Sequence, residues 1–154
     1  MTFTELVATL SKEIGGKIET EGDICAVRTG VDGQQPVTIL LQGFDERRAL
    51  LTTADLGQPP PERLERLYRE ILEANDLFRD TGGATLSVNP ATGNVRLQRF
   101  DPYDVIAEAG ASKALMLFAN VAAAWAKLVS DYRDAPREEE NQSSQDGNLL
   151  GFRV

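Results

Sequence analysis

The stretch from Leu67 to Phe100, LYREILEANDLFRDTGGATLSVNPATGNVRLQRF, sets the tightest limit on what this chain can fold into. Apolar residues recur at helical spacing through Leu72 and Asn75. After Gly82-Gly83 the pattern changes to two short strand-like runs, Ala84 to Val88 and Val95 to Phe100. The turn-rich segment Asn89-Pro90-Ala91-Thr92-Gly93-Asn94 joins them as a hairpin. A helix that breaks into a hairpin within so few residues must pack beside its own strands. Nothing in the stretch supplies a nucleophile, a metal cage or a phosphate cradle, which points to a protein that works by offering surface.

The flanking sequence fills in an α+β pattern. Phe3, Leu6, Val7, Leu10 and Ile14 form a helical stripe, with Thr2 and Glu5 spaced as a capping box and Gly15-Gly16 as a stop. Strand-like runs follow at Asp23–Thr29, Val37–Gln42 and Arg47–Ala54, close enough together for an antiparallel meander. Gly57 to Pro61 breaks the pattern. A second helix then carries Leu64, Leu67, Tyr68, Ile71, Leu72 and Asn75 on one stripe. A last helix, opened by Asp101-Pro102, is expected to run to about Tyr132, with Gly110 as a weak point. The predicted order is helix-β-β-β-helix-β-β-helix, with a twisted, mainly antiparallel sheet flanked by helices. Residues 1–133 form one domain. Residues 134–154 form an acidic polar tail, with no expected structure of its own, ending in LLGFRV.

Composition excludes several classes of function. The chain of 154 residues carries a net charge of −8, so a phosphate backbone is repelled and no nucleic-acid partner is expected. With no histidine and one cysteine, Cys25, imidazole catalysis, common zinc sites and an intramolecular disulfide are all out of reach. The N-terminus lacks a signal-peptide pattern, and the alanine-rich run Ala114–Ala126 is too short to cross a bilayer. A cytoplasmic protein without membrane insertion is expected, with no cofactor or metal and no enzyme activity.

Each chemical motif has a plainer explanation. Gly82-Gly83 precedes a strand and lacks the lysine of a phosphate loop, so it reads as a reversal. Asp101 reads as a helix cap, Glu70 and Glu73 as a solvated helix face, and Cys25 and Trp125 as core. Two readings stay open for the first helix: Phe3, Leu6 and Leu10 belong to the core, or they wall an apolar groove. The second helix likewise either covers the sheet or meets a second copy of itself across a two-fold axis.

The run EILEANDLF–RDTGGATLSVNPATGNVRLQRF resembles the Tir chaperone (CesT) family, the class I chaperones of bacterial type III secretion. The resemblance extends in element order from Phe3 to about Tyr132. It implies an acidic cytoplasmic homodimer that holds the N-terminal segment of a secreted effector extended and passes it to secretion apparatus components. It places effector binding at Phe3, Leu6, Leu10, Ile39, Leu41 and Leu51. It places the dimer interface at Leu64, Leu67, Tyr68, Ile71 and Leu72, with Leu86 and Val88 of the neighbouring strand. The tail departs from a minimal family member, and Leu149, Leu150 and Phe152 either occupy a groove as a surrogate ligand or stay free of it. The alternative reading is a non-enzymatic dimeric adaptor or regulator of the same fold that binds a folded partner.

Overall fold

The computed structural model describes residues 1–30, 33 and 36–134, so the predicted tail 134–154 lies outside the described residues except for Asp134, which ends the last helix. Helix α1 spans Phe3–Ile14. The Thr2 hydroxyl accepts from the Glu5 N–H at 3.3 Å, and the Glu5 carboxylate accepts from the Thr2 N–H at 2.8 Å. This is the expected capping box, satisfying two N–H groups that a helix start leaves without partners. Gly15 ends the helix at φ 69°, a conformation that costs glycine little.

Six strands among the described residues form one sheet: β1 (Thr20–Glu21), β2 (Ile24–Thr29), β3 (Val37–Phe44), β4 (Ala49–Gly57), β5 (Thr85–Val88) and β6 (Val95–Pro102). Their spatial order is β1-β2-β3-β4-β6-β5, and every neighbouring pair is antiparallel. The chain leaves the sheet after β4, forms helix α2 (Leu64–Asn75), and returns through β5 at the far edge before β6 closes against β4.

Register decides which side chains face the helices. Ile39 lies opposite Ala54, Ala54 opposite Leu97, and Leu97 opposite Leu86, so these four share one face. All four are buried, with Leu97 and Ile39 wholly inaccessible. Helices α1 and α4 (Ala111–Asp134) lie over that face. Helix α4 spends its apolar side there through Leu115, Phe118, Ala119, Ala122, Trp125 and Val129. Its alanines let the backbone approach the sheet closely.

Several local expectations are corrected. The two-residue β1 carries too little pattern to read. The third strand starts at Ala49, because a single 3-10 turn (Asp45–Arg47) and a left-handed Arg48 (φ 50°) precede it. Asp101 does not cap a helix. It stays in the β4–β6 ladder opposite Leu50, and its carboxylate takes the Arg99 guanidinium at 2.5 Å. The last helix is two helices, α3 (Tyr103–Ala109) and α4, separated at Gly110 with φ 89°. The weak point is a full break. Helix α4 is also 24 residues long, longer than the alanine-rich run within it, and long and apolar enough by length and composition to cross a membrane. Its apolar side is instead buried against the sheet.

Candidate interaction surfaces

Among the described residues, the helices cover only one side of the sheet. Successive side chains of a strand point to opposite faces, so the register also fixes what the open side carries. Ile24 lies opposite Gln42, Gln42 opposite Leu51, and Leu51 opposite Phe100. Ala26 and Thr53 flank Leu40 on the same face. Phe44 packs edge-on against Phe100 with ring centroids 5.7 Å apart. Leu40 is 40% exposed and Phe100 49% exposed. The result is an apolar strip across the middle strands, displayed to solvent.

Among the described strand residues, those that carry charge on this open face are Glu21, Arg28, Asp55 and Arg96, two of each sign. The Asp55 carboxylate is occupied by the Asn94 amide at 2.9 and 3.0 Å and by the Gly57 N–H at 2.9 Å. The face is therefore balanced in charge although the whole chain carries −8. One sheet edge adjoins it. Strand β1 pairs only with Ile24 and Cys25, so no described strand pairs with the outer edge of β2 over Ala26–Thr29.

The predicted effector-binding residues do not share a surface. Phe3, Leu6 and Leu10 are buried beneath α1. With Leu41 they line a small, partly open cavity of about 20 Å³, room for about one water, whose polar members are Thr52 and Arg99. Ile39 is wholly buried under the helices. Leu51 points out of the opposite face, because it pairs with Gln42 and not with Leu41.

Helix α1 is also fastened at both ends. One Asp45 carboxylate oxygen accepts from the Phe3 N–H at 2.7 Å and from the Tyr103 hydroxyl at 2.8 Å. Burial, then the Asp45 contact, hold the Tyr103 phenol protonated well above its ordinary range. At the other end the Glu13 carboxylate accepts from the Ser112 N–H at 2.7 Å, and its pKa is pulled down by hydrogen bonding from the Ser112 side chain first and from this N–H second. Phe3 rests directly on Gly43, where even a methyl group would come within 2.5 Å of the Phe3 Cβ.

The predicted dimer residues divide by burial. Leu67, Ile71 and Leu86 are buried, and Leu64 and Tyr68 are half-buried. Leu72, 70% exposed, and Val88 face solvent. Two residues that the helical pattern did not single out join this flank. Leu77, 80% exposed, and Phe78 both sit at positive φ in the turn after α2. Consecutive left-handed residues with side chains cost of order 1–2 kcal/mol each, so this turn presents its apolar side chains at an energetic cost. Their only signal in the sequence was an apolar pair lying past the helix end.

Among the described residues no three acidic, cysteine or histidine side chains gather as a metal site. The Cys25 thiol is buried, which raises its pKa and keeps it protonated.

The profile of the Tir chaperone protein (CesT) family matches residues 5–125, from the first turn of α1 to Trp125 in α4. The chain belongs to that family. Two solved structures share its fold. A protein in the HopA1–SchA chaperone–effector complex is 14% identical with a TM-score of 0.59, over 84% of this chain and 93% of the other. A protein in the ExsC–ExsE complex is 16% identical with a TM-score of 0.51, over 87% of this chain and 93% of the other. No curated protein matches the sequence. The expected α+β architecture is the one these structures share.

Proposed function

We propose that this CesT-family chain is a type III secretion chaperone that acts in the cytoplasm as a homodimer. It holds the N-terminal segment of a secreted effector in extended form, without chemistry of its own. The observation that carries this reading is the open sheet face, an apolar strip built from Ile24, Leu40, Leu51, Phe44 and Phe100 beside the β2 edge. Family membership supports it, as does a fold shared with a protein solved in a chaperone–effector complex.

An extended segment can pair its backbone with a strand edge while alternate side chains enter the apolar strip. Burying three or four such side chains yields on the order of 5–10 kcal/mol before the client's ordering entropy is deducted. Balanced charge on the face admits segments of either sign, and the acidic remainder of the chain discourages chaperone self-association. Of the six residues first assigned to the client, Leu51 lies on this face. The stripe of Phe3, Leu6 and Leu10, with Leu41 and Ile39, serves the fold beneath α1 and α4 and becomes available only if α1 lifts. The second copy docks on the flank of Leu72, Leu77, Phe78 and Val88, with Tyr68 and Leu64 at its margin.

Co-expression with the N-terminal region of a secreted protein encoded beside this chain tests the reading. A stable complex that Leu40→Asp and Leu51→Asp abolish, with the fold intact, supports it. Tight binding of a folded partner that ignores both substitutions replaces it with the adaptor alternative.

A further inference from the structure

The two edges of the sheet are treated differently, and one side chain marks the difference. Among the described residues, strand β5 is the last strand of the sheet, with β6 on one side only. A strand in that place presents outward N–H and C=O groups that template pairing with another chain. Here the Asn75 carboxamide takes both groups of Leu86: its Nδ2 donates to the Leu86 C=O at 3.0 Å, and its Oδ1 accepts from the Leu86 N–H at 2.9 Å. The amide presents one donor and one acceptor side by side, as a neighbouring strand would. Leu86 is buried and Asn75 half-buried, so little water competes. Helix α2 delivers the amide through Leu67, Ile71 and Ala74, buried on the same helix.

We propose that Asn75 is the residue that closes the β5 edge to strand addition, so that pairing by an extended polypeptide or by a second copy is confined to the β2 side. A second copy then meets the α2 flank through side chains and does not continue the sheet through β5. The inference narrows where the proposed client can pair, but its test uses no client, so it stands or falls separately from the chaperone reading.

In the wild type the Leu86 amide should exchange as slowly as the paired amides of β6; a fast Leu86 amide overturns the proposal. Asn75→Ala should speed Leu86 exchange by roughly tenfold, the loss of about one hydrogen bond. It should also produce larger species that grow with concentration in sedimentation velocity. Asn75→Asp keeps the acceptor and the volume but loses the donor, and serves if the alanine variant fails to fold. It should show the same changes in smaller measure. Folded variants with Leu86 exchange and assembly unchanged would mean that the body of α2 covers the edge and the amide does not guard it.

Discussion

Gly43→Ala probes the seat of α1 directly. A Cβ at Gly43 would lie 2.5 Å from the Phe3 Cβ and Cγ and 2.7 Å from its Cδ2. The first of these atoms is fixed to the backbone, so no rotamer change relieves the contact and the first turn of α1 must move. Overpacking of this kind costs about 1–3 kcal/mol. Movement also weakens the Phe3 N–H bond to the Asp45 carboxylate, worth about 1.5–3 kcal/mol. Replacing glycine inside a strand returns about 0.5–1 kcal/mol. The expected net loss is therefore about 2–5 kcal/mol, a drop in Tm on the order of 10 °C for a domain of this size. Denaturant unfolding followed by Trp125 fluorescence measures it, and amide exchange from Phe3 to Leu10 should rise selectively. Gly16→Ala is the control: its Cβ meets only an Ile14 atom at 3.9 Å, and stability should stay within about 1 kcal/mol. Gly43→Ala protein as stable as wild type, with α1 still protected, would refute the packing argument.

Three further outcomes follow from other contacts. Leu72→Asp should weaken self-association while leaving the melting curve within about 0.5 kcal/mol, because Leu72 is exposed; Ile71→Asp should unfold the chain, because its carboxylate would be buried without a partner. Light scattering beside circular dichroism separates the two. The depressed pKa of Glu13 means that its contribution is present above its ordinary value of 4.5 and is lost as pH falls through the lower folded value. Amides in the last turn of α1 should open on acidification, and Glu13→Gln should weaken that pH dependence. Tyr132→Phe removes the hydroxyl that donates to Glu70 and joins α4 to α2, and should cost about 1 kcal/mol in denaturant unfolding.

Much of the architecture was legible because amphipathic helices and their stops are written locally. The capping box at Thr2 and Glu5, the stripe of α1 and the hairpin after Gly83 needed no long-range information. The faces of β4 did. Ala49, Leu50 and Leu51 are all apolar, so alternation alone cannot say which points inward. The left-handed Arg48 and the pairing of Leu50 with Gly43 decide it, and they send Leu51 outward. Asp101-Pro102 imitates a helix start, but the ladder with β4 continues to Pro102, and Arg99 claims the carboxylate. Asn75 was legible as part of a stripe. Its pairing with β5 was not, since the sequence does not say which strand ends the sheet. The apolar pair Leu77 and Phe78 was hidden for a similar reason, because no helical or strand period places a side chain held by left-handed backbone.

The most direct test of the surface account is amide exchange of the full chain, alone and mixed with the N-terminal region of the proposed effector. Protection should increase along Ala26–Thr29 and in the outward residues of β3, β4 and β6, with α1 unchanged. Protection that appears instead in α1 and the cavity beneath it, with the open sheet face untouched, would contradict the account.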